Sequence, residues 1–379
     1  MYIERDLDLL PIIKKKSCFL FGPRQTGKTS IIRNTLAAYR YYNLLKTDVF
    51  LKLNHSPQRL REEITDKDKI VIIDEVQKIP QLLDEVHNLI EEKNIHFLLT
   101  GSSARKLRRG GVNLLGGRAR TRRMHPFIHR ELKNDFDLLK ALNIGLIPSI
   151  YFSDAPYEDL EAYTGNYLKE EIAAEAIVRN VPAFSRFLTI AGLCNGKMIN
   201  YANISRDAEV PKSTVQEYFQ ILRDTLIGDD LPAWNEFTKR KTVSTSKFYF
   251  FDIGVVRFLQ NRQGLKEGSP EFGEAFEAYI YHEIKTYCDY KGAKDLHYWR
   301  TKSGFEVDFI LNGTTAIEVK GKKKITGHDQ RGLRALKEEG MFKNYIIVSL
   351  DEIPRTTADS IHIKHWKDFL EELWEDVYI

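Results

Sequence analysis

The chain has 379 residues, 42% of them hydrophobic and 29% charged, and carries a net charge of +4. That balance excludes disorder as the dominant state and leaves room for two or three domains. No apolar run approaches the roughly 18 residues that a membrane span needs, and Cys18, Cys194 and Cys288 lie too far apart for a zinc motif or a disulfide framework.

The opening stretch, MYIERDLDLLPIIKKK, mixes acids and bases into its apolar residues and does not read as a signal peptide. A reduced, cytoplasmic protein without a membrane partner is the simplest expectation. Charge is unevenly spread. From Ser102 to Arg130 there is no Asp or Glu, yet the stretch holds Arg105, Lys106, Arg108, Arg109, Arg118, Arg120, Arg122, Arg123 and Arg130. Further basic clusters are Lys239–Lys241, and Lys320 with Lys322–Lys324. Each is readable as a solvated face, but together they favour an anionic partner, nucleic acid or nucleotide phosphate.

In chain order, the apolar strand Cys18 to Phe21 runs into Gly22, Pro23, Arg24, Gln25, Thr26, Gly27, Lys28, Thr29 and Ser30, and "SIIRNTLAAY" follows with helical spacing. Strand, glycine-rich turn and helix make the P-loop pattern. Gly22 and Gly27 permit a tight backbone path, and amides at the helix start cradle phosphates. Lys28 would reach the β- and γ-phosphates and Thr29 would ligate Mg²⁺, so ATP and Mg²⁺ are the expected cofactors.

Next, the β-branched run Ile70 to Ile73 suits a central parallel strand and ends in Asp74 and Glu75. Asp74 would hold Mg²⁺ through water, and Glu75 would orient or deprotonate the attacking water. The plainer alternative is a cap at a strand–helix junction. A third strand, "IHFLLTGSSA", ends in Thr100, Gly101, Ser102 and Ser103. Ser102 or Thr100 would sense the γ-phosphate there, or cap the loop. In "NLLGGRARTRR", Arg118 is the candidate for a finger reaching a neighbouring subunit's γ-phosphate, which implies a homo-oligomer; DNA contact is the alternative.

The motifs "GPRQTGKT", "IDEVQKIPQLLDEV", "LLTGSSARKL", "LLGGRA" and "HPFIHREL", with "FYFFDIGVVRFL", "GEAFEAYIYHEI" and "EVDFIL…AIEVKGK" downstream, resemble bacterial and archaeal AAA+-type ATPases whose C-terminal domain was long of unknown function. The resemblance implies an α/β fold: a P-loop AAA+ core with a parallel sheet over residues 1–150, a helical and winged-helix region over 151–240, and a C-terminal domain similar to PD-(D/E)XK nucleases over 241–379.

In the middle region, "EDLEAYTGNYLKEEIAAEAI" reads as one long helix. Tyr201 to Ala208 reads as a short helix, Val210-Pro211 as a turn, and a second helix capped by Ser213 carries Val215, Tyr218, Phe219, Leu222 and Leu226 at helical spacing. This is helix-turn-helix patterning, with Lys212, Ser213, Thr214 and Gln216 placed for a DNA groove. Packing against the ATPase is the competing reading.

Toward the C-terminus, "SKFYFFDIGVVRFL" reads as strand and short helix. "PEFGEAFEAYIYHEIKTYCDY" reads as a helix with Glu274 and Glu277 off its apolar face and Glu283 at the border. Two strands, a helix near 328–339 and the strand "NYIIVSL" complete the order α-β-β-α-β. Glu318 and Lys320 are two apart and share a strand face. Asp308 supplies a second carboxylate, and Glu277 a plausible outer ligand. Mg²⁺ held by carboxylates, with a lysine beside it, is the chemistry of phosphodiester cleavage. A half-buried strand with a polar outer face, or a nuclease-like domain that no longer cuts, are the alternatives.

The hairpin register decides whether that site exists. A two-residue Asn312-Gly313 turn would pair Leu311 with Thr314 and set Asp308 and Glu318 on opposite faces. A three-residue loop would pair Leu311 with Thr315, set Asp308 opposite Glu318, and leave Phe309, Ile317 and Val319 in the core. The second register is the one expected. The whole then reads as an ATP-hydrolysing, DNA-interacting protein with a nuclease-like domain. The rival is a nucleotide-switched assembly or regulatory protein whose C-terminal domain binds DNA or protein without cutting.

Overall fold

The computed structural model describes residues 2–102, 105, 107, 115–168, 180–235, 240–292 and 295–378. Ser103, Lys106, Arg108, Arg109, Lys239 and residues 169–177 of the expected long middle helix lie outside them. The chain divides into two compact units, Met1–Phe127 with Ile221–Ile227, and Ile128–Gln220 with Gly228–Ile379.

The first unit is built on a five-stranded sheet of β1 (Ser17–Phe21), β2 (Arg40–Asn43), β3 (Ile70–Asp74), β4 (His96–Gly101) and β5 (Ala119–Arg123), in the order β2-β3-β4-β1-β5. Every pairing is parallel. β1 and β3 are buried along their whole length, as continuous apolar runs covered on both faces must be. The helices Lys28–Thr35 (α1) and Leu82–Lys93 (α2) follow β1 and β3. Because β4 lies between β1 and β3, the register Phe21↔Gly101 and Ile73↔Leu99 brings the C-terminal ends of three strands together. Parallel sheets bind ligands at such ends.

In the second unit, the helices Val181–Leu193 (α3), Tyr201–Ala208 (α4) and Lys212–Asp224 (α5, whose last turn belongs to the first unit) accompany a three-stranded antiparallel sheet. Its strands are β6 (Lys197–Met198), β7 (Gly228–Leu231) and β8 (Lys247–Phe250), with β8 central. Residues on both sides of position 240 thus share one sheet. Val215, Tyr218 and Phe219 are buried while Lys212, Ser213 and Gln216 are exposed, as the helical spacing requires. α5 begins at Lys212, so Ser213 lies inside its first turn rather than capping it. The described part of the expected long helix runs Pro156–Glu161 and widens into a π-helical turn over Ala162–Tyr167. The wider turn keeps the buried Leu160, Thr164 and Leu168, spaced four apart, on one face.

The remaining elements are α6 (Pro270–Lys291), β9 (Leu296–Arg300), β10 (Glu306–Leu311), β11 (Thr315–Lys320), α7 (Arg331–Lys337), β12 (Asn344–Ser349), β13 (Arg355–Thr356), β14 (His362–His365) and α8 (Trp366–Trp374). Their sheet has the order β13-β14-β12-β11-β10-β9. β9 was not anticipated, so the order is α-β-β-β-α-β. β9's polar and aromatic sequence, LHYWR, masks the strand. Ser269 caps α6 by accepting from Phe272 N at 3.2 Å, and Gly292 ends it with φ 80°. Glu283, expected at the border of the apolar face, is fully buried and accepts from the His129 amide at 2.7 Å.

Candidate functional site

At the end of β1 the chain turns through Gly22 to Gly27. Gly27 has φ +98°, left-handed backbone that favours glycine. A Cβ on Gly22 would stand 2.4 Å from the Met124 carbonyl oxygen. α1 then starts at Lys28 with its amides directed into the loop. Lys28 Nζ donates to the carbonyls of Gly22 at 2.7 Å and Pro23 at 2.9 Å. Thr26 Oγ1 donates to the Pro23 carbonyl at 2.9 Å.

Thr29 Oγ1 donates to Asp74 Oδ2 at 3.1 Å, joining residues 45 positions apart. Asp74 is fully buried and also accepts from Tyr41 at 2.7 Å and from Thr100. Hard cations such as Mg²⁺ take oxygen ligands and keep substrate phosphates and waters in their shell. One hydroxyl and one carboxylate beside a phosphate cradle fit that need. Among the described residues no group of three or more His, Cys, Asp or Glu side chains is placed to hold a metal by itself.

Glu75 follows in left-handed backbone (φ 63°, ψ 44°), and its amide donates to Thr100 Oγ1 at 3.3 Å. Burial raises its carboxyl above the usual range, against the lowering effect of nearby Lys28. Gln77 Nε2 donates to Glu75 Oε2 and lies 3.5 Å from Ser102 Oγ, itself buried. The structure therefore brings Lys28, Thr29, Asp74, Glu75, Thr100 and Ser102 together. It does not bring Arg118. Ser17 pairs with Ala119, so Arg118 sits at the opposite end of β1 from the P-loop, about 15 Å away at the usual rise per residue. Its guanidinium pairs with Glu91.

Three participants escaped the sequence reading. Arg5, nearly buried, donates to the Thr26 carbonyl at 2.8 Å and the His125 carbonyl at 2.7 Å, tying the P-loop to the segment after β5. Tyr41 and Gln77 are the others. Only the "IDEVQK" string hinted at any of them, through Gln77's place beside Glu75.

The second cluster lies on the β10–β11 hairpin. Leu311 pairs with Thr315 and Phe309 with Ile317, so the next pair outward is Asp308 with Glu318. Asp308 and Glu318 are each 7% exposed, which argues against a solvated polar outer strand face. Asp308 Oδ2 accepts from Val319 N at 2.8 Å, and Lys320 Nζ meets Glu318 Oε1 at 2.5 Å. Glu318 Oε2 is buried without a partner. Burial first, then the Glu277 charge, pushes Asp308 up to about 6, and burial with Asp308 beside it raises Glu318 well above the carboxylate range.

Glu277 is near but engaged elsewhere: Tyr249 donates to its Oε1 at 2.6 Å, and buried Lys247 stands 3.4 Å away. Lys247 also pairs with Glu306 at 2.7 Å. Neither Lys247 nor Tyr249 was singled out from sequence. A cleft of about 680 Å³ opens beside this cluster, lined by Ser269, Gly273, Glu277, Lys320, Lys322 and Lys323 among others. An unpartnered buried carboxylate oxygen next to a second carboxylate fits a divalent cation, with Asp308 and Glu318 as its holders.

Comparison with known proteins bears first on the N-terminal third of the chain. Residues 14–133 match the family described as AAA domain. That similarity supports a nucleotide-binding, AAA-type P-loop ATPase domain. Residues 135–266 and 272–368 match two domains of unknown function, DUF8612 and DUF4143. An uncharacterized protein of Mycobacterium tuberculosis is 24% identical over 319 residues, covering 82% of this chain and 69% of the relative; a Mycobacterium bovis protein matches equally. An uncharacterized protein of Methanocaldococcus jannaschii is 24% identical over 371 residues, covering 82% and 74%. No described helix is long and apolar enough to cross a membrane.

Proposed function

We propose that this protein binds ATP at the Gly22–Ser30 loop, hydrolyses it, and couples the cycle to work on DNA through a nuclease-like C-terminal domain. Residues 1–150 would form the ATPase, 151–240 a helical and winged-helix region, and 241–379 the nuclease-like domain. The observation that carries the ATPase reading is the Thr29–Asp74 hydrogen bond of 3.1 Å at the mouth of the phosphate loop. Bound Mg²⁺, held by Thr29 and through water by Asp74, would supply charge neutralisation at the β- and γ-phosphates. Lys28 would turn from the loop carbonyls to those phosphates. Glu75 would take the proton of a water whose oxygen bonds to the γ-phosphorus while the bond to the β–γ bridging oxygen breaks, releasing ADP and phosphate. Ser102 or Thr100 would contact the γ-phosphate.

The test is Glu75→Gln. It should keep ATP bound and slow turnover by roughly 10² or more, the scale of losing a general base. Hydrolysis at the wild-type rate sinks the assignment.

DNA as the partner rests on the exposed face of α5 and on the lysines of the 680 Å³ cleft. A second reading is favoured by the Lys320–Glu318 pair at 2.5 Å, in which the lysine already neutralises one of the two carboxylates a cation would use. Here the C-terminal domain binds DNA or protein without cutting, and ATP acts as a switch. Incubation with Mg²⁺ or Mn²⁺, ATP and linear, forked and four-way DNAs, scoring cleavage and ATP turnover together, separates the two. DNA-stimulated turnover favours the first; tight nucleotide binding with almost no turnover favours the second.

A further inference from the structure

We infer that Gln77 is a positioning residue of the ATPase, whose side-chain amide fixes the Glu75 carboxylate and ties it to Ser102 on the neighbouring strand. The inference rests on the reading of Glu75 as general base.

Three observations carry it. Gln77 Nε2 donates to Glu75 Oε2 and lies 3.5 Å from Ser102 Oγ, so one amide spans the ends of β3 and β4. Second, the residue opposite is Gly101. A Cβ there would fall 2.4 Å from Gln77 Oε1, so a side chain at position 101 would push the amide aside. Third, Gln77 Oε1 is buried without a donor. A side chain kept for packing alone would not strand an amide oxygen in the interior, where an unmet acceptor is costly. The orientation is set by the carboxylate, which accepts only from Nε2.

The consequence is directional. Glu75 stands in left-handed backbone, φ 63°, directly after β3, and its carboxylate is held by Gln77. Gln77 holds one carboxylate oxygen and leaves the other to meet a water. Because the same amide approaches Ser102, whatever displaces Ser102 on contact with a γ-phosphate moves the base as well. Loss of the amide therefore lowers turnover and leaves nucleotide affinity in place.

The experiment measures kcat, KM and the Kd of a fluorescent ATP analogue for the full chain carrying Gln77→Ala, Gln77→Asn, Gly101→Ala and Glu75→Gln, singly and combined, with melting curves. Gln77→Ala should lower kcat about tenfold or more, with Kd within about threefold. Gln77→Asn, one methylene short of the bridge, should lose as much. Gly101→Ala, which displaces the amide without removing it, should match Gln77→Ala and add nothing to it. On the Glu75→Gln background, Gln77→Ala should have no further effect. Wild-type turnover in Gln77→Ala or Gln77→Asn overturns the proposal, as does an equal further loss on the Glu75→Gln background, or a loss in affinity rather than turnover. Glu75→Gln with wild-type hydrolysis instead overturns the base assignment itself, and is read from the single variant.

Discussion

Asp308 Oδ2 accepts the Val319 amide at 2.8 Å, so the carboxylate bonds to the backbone of the opposing strand just beyond the last regular pairs of the hairpin. The same bond holds Asp308 beside Glu318, whose second oxygen has no partner. A cation entering here would gain two carboxylates.

That placement predicts a pH-dependent metal site. Asp308 is raised to about 6 by burial and by Glu277. Below that value it carries a proton and competes with the cation; above it the carboxylate is available. Calorimetry with Mn²⁺ should show affinity rising as pH increases from about 5 to 7, and falling tenfold or more in Asp308→Asn or Glu318→Gln. Equal heats in wild type and both variants would remove the site.

Arg118 lies at the far end of β1 from its own P-loop and pairs with Glu91. Any action on a γ-phosphate must then be across a subunit boundary, where such an arginine is worth about 10³ or more in rate. Mixing Arg118→Ala with Glu75→Gln protein should restore part of the lost activity at mixed interfaces. No recovery, or a strict monomer with ATP, argues against a finger.

DNA binding, if electrostatic, should weaken steeply with salt, because neutralised phosphates release counterions. Lys212 is exposed at the start of α5, whereas Arg240 is held by Glu338, by Glu339 at 2.9 Å and by the Ala335 carbonyl at 2.6 Å. Lys212→Glu should therefore flatten the salt dependence more than Arg240→Glu, which should chiefly lower the melting temperature. Binding measured by fluorescence anisotropy across salt concentrations checks this, and an equal loss of slope in both variants contradicts it.

His129 makes edge contacts with Phe136 at 4.9 Å and Trp366 at 5.1 Å, and burial first, then Lys367, pushes it down to about 4. The unfolded chain protonates it near 6.5. Between these values the unfolded state holds more protons, so stability falls as pH drops from about 6.5 to 4. His129→Phe should show a shallower loss over that window by denaturant titration. Parallel curves would show that His129 stays solvated.

The phosphate loop, the buried strand ending in Asp74 and Glu75, and the hairpin register are legible in the sequence, because each is contiguous. A glycine spacing, a β-branched run or a counted turn carries its own geometry. Even Asp308 opposite Glu318 follows from where Leu311 must pair. The rest depends on partners distant in the chain. Arg5 is beside Thr26 and His125 only because β1 and β5 lie side by side. Tyr41 reaches Asp74 only because β2 is the neighbour of β3. Gln77 meets Ser102 across the β3–β4 pair, and Lys247 meets Glu277 and Glu306 from a strand of another sheet. Strand order sets those contacts, and strand order comes from how whole apolar faces are buried, which no local pattern of residues encodes.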